Sequence, residues 1–276
     1  MDLYTFELLL ALGLGLLVTG IVAGVLAGLL GVGGGIVIVP VLFWLFDFLK
    51  IPPETAMHLA VGTSLATIIP TSISSARSHH AKGAIDIALF KRWAPIIALG
   101  AAIGGWSSRY LASSTLTLVF GTVAVIVAIN MILPKKIILA NALPTHPVSN
   151  GLIGTTIGVF SALMGIGGGT LSVPVLTLFS FPVHRAVGTA SAFGFVIAVP
   201  AVIGFIAAGW SVDGRPPWSM GYVSVPAAVL IFSTSVLTAP LGGRIAHALN
   251  PQRLRIAFAL FLFVSALRML FSALDY

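Results

Sequence analysis

One apolar, glycine-broken phrase occurs twice in this chain. Residues 29–42 read Leu-Leu-Gly-Val-Gly-Gly-Gly-Ile-Val-Ile-Val-Pro-Val-Leu, and residues 163–176 read Leu-Met-Gly-Ile-Gly-Gly-Gly-Thr-Leu-Ser-Val-Pro-Val-Leu. Both copies place three glycines before a short apolar run, with a proline at the same offset, Pro40 and Pro174. Each copy sits inside a strongly hydrophobic stretch. Backbone groups freed at such a break cannot be satisfied by hydrocarbon, so they must face protein or a water-filled cavity. Short, glycine-interrupted segments at matching places in two halves of a chain point to a binding site built between repeats.

The solvent around those breaks follows from composition. Hydrophobic residues make up 58% of the chain, charged residues 8%, and the mean hydropathy is +1.11. A soluble globule carries about a quarter of its residues as charges, so this chain cannot present water with a polar surface all round. The apolar runs approach the roughly 20 residues needed to cross a bilayer, and they lack the ten-residue alternation of a membrane β-barrel. The expected fold is an all-α polytopic membrane protein. The net charge of +7 does not indicate nucleic acid, because the basic residues are confined to gaps between apolar runs. With no cysteine in the chain, disulfides, thiol catalysis and thiolate metal sites are excluded. The N-terminus lacks the basic start of a secretory signal, and its apolar run continues to Leu30. That first segment is therefore expected to remain as a membrane helix.

About ten apolar segments follow one another, near 6–30, 36–49, 58–76, 93–112 and 115–133, then 149–165, 170–181, 184–209, 220–243 and 252–273. The first membrane repeat is thus 1–133, an inter-repeat loop 134–148, and the second repeat 149–276. Further matches keep their order between the halves. His58-Leu-Ala-Val-Gly-Thr63 returns as His184-Arg-Ala-Val-Gly-Thr189, and Ile103-Gly104-Gly105 as Leu241-Gly242-Gly243. Five segments per repeat is an odd number, so the second copy should cross the membrane upside down.

Loop charges agree with inversion. With the acidic N-terminus outside, Arg77, Lys82, Lys91, Arg92, Lys135, Lys136, Arg185, Arg244, Arg253 and Arg255 fall inside, and Lys50, Arg109, Arg215 and Arg268 outside. That bias is the one cytoplasmic loops carry. The loop after the third segment is basic, whereas its counterpart after the eighth holds only Asp213 and Arg215. The expected architecture is therefore 8–10 membrane or half-membrane helices in two inverted repeats of about five segments, with both termini outside. Segments two and seven are too short for a roughly 30 Å hydrocarbon core. They are expected to be half-helices or re-entrant hairpins.

The glycines immediately precede those short helices, whose first-turn amides and positive dipole ends point back toward Gly33, Gly34 and Gly35, and toward Gly167, Gly168 and Gly169. Without Cβ atoms a small anion can approach such amides closely. The competing role, close helix packing, would suffice for a single copy; duplication, the fixed proline and the short following helix favour the anion site. No Gly-Lys-Ser/Thr follows, so this is not a nucleotide phosphate loop. The hydroxyls of Thr63, Ser64, Thr189 and Ser191 are candidate substrate contacts, with backbone bonding as their competing role. His58 and His184 are candidates for proton coupling, with interfacial capping as theirs. No carboxylate lies mid-segment. Arg109 and Arg268 are expected to snorkel to the interface. His79 and His80, with Arg77 and Lys82, read as a loop cluster without a third metal ligand. No nucleophile–base pair, paired carboxylates or metal set indicates an enzyme, and no cofactor or metal is expected.

Taken with their order, these motifs resemble the sulfite exporter TauE/SafE family of membrane permeases. The resemblance rests on Gly31-Val-Gly-Gly-Gly35 with Val39-Pro40 and on Gly165-Ile-Gly-Gly-Gly169 with Val173-Pro174. It is supported by Ala60-Val-Gly-Thr-Ser64, Ala186-Val-Gly-Thr189 and Gly242-Gly243-Arg244. It spans nearly the whole chain. It implies two repeats and movement of sulfite, thiosulfate, sulfonates or related anions across the cytoplasmic membrane. The second repeat departs where Thr63-Ser64 becomes Thr189-Ala190, leaving Ser191 as the nearest serine. The expected function is a secondary transporter for a small sulfur-containing anion, working by alternating access. A passive anion channel and a non-transporting membrane subunit are the alternatives. Expected partners are the anion and the lipid bilayer, not nucleic acid, with homo-oligomerisation left open.

Overall fold

The computed structural model describes residues 6–31, 33–132, 138–245 and 251–274. Lys135 and Lys136, the chain ends and Val32 lie outside the described residues. Ten α-helices occur among those described: α1 (Phe6–Leu30), α2 (Gly35–Phe48), α3 (Pro53–Ala81), α4 (Ile87–Ser107), α5 (Ser113–Ile132), α6 (Pro147–Met164), α7 (Gly169–Leu178), α8 (Val183–Gly209), α9 (Val225–Ile245) and α10 (Pro251–Leu274). Seven contain spans long and apolar enough to cross a membrane. Large apolar side chains such as Leu10, Leu14, Ile126, Leu152, Leu237 and Val264 are exposed along α1, α5, α6, α9 and α10. An apolar exterior on spanning helices is a lipid-facing surface, and the protein is a multi-pass membrane protein.

Helix boundaries follow local chemistry. Pro53 opens α3 where its missing N–H costs nothing. Asp86 caps α4 by accepting the Leu89 N–H at 2.9 Å. Gly165 closes α6 in the left-handed region, with φ 67°. There the Gly165 N–H donates to the Ala162 carbonyl and the Ile166 N–H to the Ser161 carbonyl, at 3.2 and 3.0 Å. This is the paired bonding of a Schellman end.

Four segments differ from the sequence reading. The third runs to Ala81, so His79 and His80 occupy its last turn and not a loop. Nothing between Ser72 and Ala81 breaks a helix until Gly83, so α3 extends past the apolar stretch; its 29 residues measure about 43 Å. The fourth, expected at 93–112, is Ile87–Ser107, so Lys91 and Arg92 lie in the first turns of α4 and not in the loop before it, because the Asp86 cap starts the helix ahead of the apolar run. The seventh shrinks to the 10 residues of α7. The ninth begins with a two-stranded hairpin, Ser219–Met220 paired antiparallel with Val223–Ser224, turned at Gly221 (φ 55°). The hairpin's apolar residues hid it inside a helix-length hydrophobic run.

The two halves of the chain interlock. The α1 helix packs along α9 of the second half, and α6 packs along α4 of the first. In both seams glycines bring backbones together: Gly20, Gly24 and Gly242 in one, Gly100, Gly104 and Gly158 in the other. The equivalent helices α3 and α8 pack at the centre, and they run antiparallel. The start of α3 meets the loop after α8, where the Gly214 Cβ position lies 3.0 Å from Pro52, while the start of α8 meets the loop after α3 at Gly188 and Ala84. The α3 helix is the most deeply buried of the spans.

Candidate functional site

Both glycine breaks lie at the centre and touch one another. A Cβ placed on Gly33 would lie 2.9 Å from the Gly167 Cα, and one on Gly35 would overlap the Gly165 carbonyl and lie 2.9 Å from the Ile166 Cα. Gly33 and Gly34 have φ 75° and 77°, conformations that side-chain-bearing residues avoid. All of Gly31, Gly33, Gly34 and Gly35, and Gly165 through Gly169, are buried. The short helices start directly from these breaks: the Val37 and Ile38 N–H groups bond the Gly34 carbonyl, and the Ser172 N–H bonds the Gly168 carbonyl at 3.0 Å. The amides preceding those bonds have no helical acceptor and point into the break. At 14 and 10 residues, α2 and α7 reach about 21 and 15 Å, short of a full crossing.

The Ala-Val-Gly-Thr motifs bracket this centre crosswise. Gly31 of the first break packs on Val187 of α8, while Gly165 of the second packs on Val61 of α3. Ser64 Oγ donates to the Gly165 carbonyl at 2.7 Å. One residue along, Gly62 lies against the Tyr222 carbonyl and Gly188 against that of Ala84. Thr63 Oγ1 then accepts the Ser224 N–H, and Thr189 Oγ1 accepts the Asp86 N–H, both at 2.9 Å. Ser224 and Asp86 each immediately precede the next helix of their repeat. The contacts are reciprocal between the two copies of the motif. Ser191 Oγ donates to the Gly188 carbonyl within its own helix, 2.6 Å.

The paired histidines diverge. His58 is only 3% exposed. Its Nε2–H donates to the Ser108 carbonyl at 3.1 Å, its ring stacks on Tyr222 at 4.6 Å, and its Nδ1 has no partner. His184 is exposed at the start of α8. The interfacial place expected of both suits His184 alone. Arg109 lies 5.2 Å over the rings of Trp106 and Tyr110, and Arg268 lies 5.1 Å over Trp44. Both are cation–aromatic contacts. Among the described residues no cluster of three His, Asp or Glu side chains is placed to hold a metal.

Three hydroxyls escaped the sequence reading. Ser161 Oγ, Thr170 Oγ1 and Ser172 Oγ are buried beside the second break without a hydrogen-bond partner among the described residues. The signal for them was available in the repeat itself, since the positions equivalent to them are Ala27, Ile36 and Ile38. Cavities open at the two ends of α3. One, about 300 Å³, is lined by Asp47, Glu54, Ser113 and Thr117. The other, about 750 Å³, is lined by Ser74, Arg77, Ser78 and Lys82.

Comparison with known proteins shows what the chain is similar to. The family model described as Sulfite exporter TauE/SafE matches residues 16–269. A protein of Haemophilus influenzae named as a probable membrane transporter is 36% identical, with 92% of this chain and 96% of that one covered. A similarly named protein of Methanocaldococcus jannaschii is 30% identical over 96% of this chain and 97% of its own length. One from Bacillus subtilis is 29% identical over 77% and 83%. No solved structure matches the chain.

Proposed function

This chain belongs to the sulfite exporter TauE/SafE family, and from that premise we propose that it is a secondary transporter of a small sulfur-containing anion. Membrane transport follows from the family; the substrate class and mechanism are our inference. The observation that carries them is the meeting of the two glycine breaks, Gly33 against Gly167 and Gly35 against Gly165, at the heads of α2 and α7. Two helix N-termini converging on side-chain-free backbone favour negative charge. The antiparallel course of α3 and α8 and the reciprocal Gly31–Val187 and Gly165–Val61 contacts support inverted repeats. Rocking one repeat against the other would then part the breaks toward each face in turn. The basic cavity at Arg77 and Lys82 would gather anions electrostatically at its mouth.

Counterflow in proteoliposomes tests this reading. Labelled sulfite, thiosulfate or taurine should accumulate faster when the same anion is preloaded on the other side. Flux without such trans-stimulation would make the protein a channel, and no flux of any of the three would remove the substrate assignment. Proton coupling belongs to the same proposal. Nε2–H of His58 is held by the Ser108 carbonyl, so Nδ1 is the atom left to take a proton. A pH gradient should drive uptake by the wild type and not by His58→Gln; equal drive in both would place coupling elsewhere.

A further inference from the structure

We propose that the two glycine breaks are not equivalent, and that the oxyanion is held by the second one through Thr170 and Ser172 of α7. This rests on the transport reading above and names the side chains of its site.

The argument begins with a comparison inside the molecule. The two copies of the break are offset by 134 residues, which pairs Ala27 with Ser161, Ile36 with Thr170 and Ile38 with Ser172. All six positions are buried, none more than 3% exposed. The fold therefore fills these places with apolar groups in one repeat and with hydroxyls in the other. Apolar residues meet the packing need without penalty, whereas a buried hydroxyl lacking a partner is destabilising. Each of Ser161 Oγ, Thr170 Oγ1 and Ser172 Oγ lacks one. Most other buried hydroxyls near the centre are bonded: Ser64 to Gly165, Thr67 to Ser64, Thr71 to Thr67 and Ser191 to Gly188. The three unpartnered groups thus all belong to the segments that flank the second break.

Their placement suits an anion. In a helix every Cα–Cβ bond tilts toward the N-terminus. Thr170 and Ser172, in the first turn of α7, therefore lean back over the break and over the first-turn amides that point into it. Ser161 lies in the last turn of α6, where the same tilt carries its Cβ back along α6, so it borders the break without leaning over it. The donors at the head of α7 are neutral O–H and N–H groups, and no carboxylate belongs to this stretch of chain from Ser161 to Leu178. Such a set binds an oxyanion by donation alone, without a fixed cation that would slow its release. In the first repeat the same shell is hydrocarbon, so that copy contributes backbone and closure and not side-chain donors.

The test uses the full-length protein, purified in detergent and reconstituted. Sulfite, thiosulfate and taurine are the probes, read by ligand-induced thermal shift and by counterflow. Thr170→Val, isosteric but without the hydroxyl, and Ser172→Ala should each weaken binding of the preferred probe about tenfold or more, as loss of a hydrogen bond to a charged ligand does. Thr170→Ser should restore it. Ile36→Val, the matching change in the first repeat, should leave it within about twofold. Variants eluting as the wild type does by size exclusion exclude misfolding. Wild-type affinity in both Thr170→Val and Ser172→Ala would overturn the proposal while leaving transport intact, and so would a protein that none of the three probes stabilises. Binding lost in the variants, with no counterflow by the wild type, would instead sustain this site and overturn the transport reading.

Discussion

At Gly33 the backbone sits at φ 75° and its missing Cβ faces Gly167 across the centre. Both conditions reject a side chain, for different reasons. The left-handed conformation costs a non-glycine residue about 1–3 kcal/mol when held there by its surroundings. The steric condition adds to it, since the Gly167 Cα would lie 2.9 Å from the new methyl and backbone atoms cannot swing aside as a flexible side chain can. Gly33→Ala is therefore expected to lower the unfolding temperature and to cut transport more than its stability loss explains, because it holds the two breaks apart. Thermal unfolding in detergent beside counterflow in liposomes checks this; wild-type transport at reduced stability would make Gly33 a packing residue alone. These glycines were legible in the sequence because duplication singles them out. The unpartnered hydroxyls were not, because a Ser or Thr in an apolar run looks the same whether it bonds its own helix, as Thr71 bonds the Thr67 carbonyl, or bonds nothing.

Pairs of helices carry the next level of order. Thr63 on α3 receives the amide that precedes α9, and Thr189 on α8 receives the amide that precedes α4. Gly62 and Gly188 let those incoming loops approach. An additional tie at the second clamp joins Asp86 to Arg185 at 2.9 Å; with Arg185 largely solvent-exposed, that pair adds little. The expectation that Thr63 and Thr189 touch substrate and the bracing role make different predictions. Removing a buried acceptor leaves an N–H unpaired, which costs about 1–3 kcal/mol. Thr63→Val and Thr189→Val should each lower the unfolding temperature, and Thr→Ser at either place should restore it. A raised KM with unchanged unfolding temperature would return these hydroxyls to the substrate. Most of the helices could be read from apolar runs and prolines, and α2 was placed within a residue of its observed ends, 36–49 against Gly35–Phe48. The hairpin at Ser219–Ser224 could not, because its Met220, Tyr222 and Val223 continue the hydropathy of α9 without a polar gap.

At the scale of the whole molecule, the decisive question is which face each end of α3 occupies. Glu54 and Asp47 line the cavity at one end, and Arg77 and Lys82 line that at the other. By the positive-inside rule the second of these is expected in the cytoplasm. Because α8 runs antiparallel to α3, the loop that follows α8 then emerges outside, although it is the sequence counterpart of the loop that follows α3. Inverted repeats make this a sharp expectation, and the cysteine-free chain permits a clean test of it. Cysteines introduced singly as Gly83→Cys and Asp213→Cys should react with a membrane-impermeant maleimide from opposite sides: Asp213→Cys in intact cells, and Gly83→Cys only after the membrane is opened. Labelling of both from the same side would make the repeats parallel. The short helices would then enter from one face together, their N-termini could not be presented to the two faces in turn by rocking, and the glycine breaks would lose their place in an alternating-access cycle.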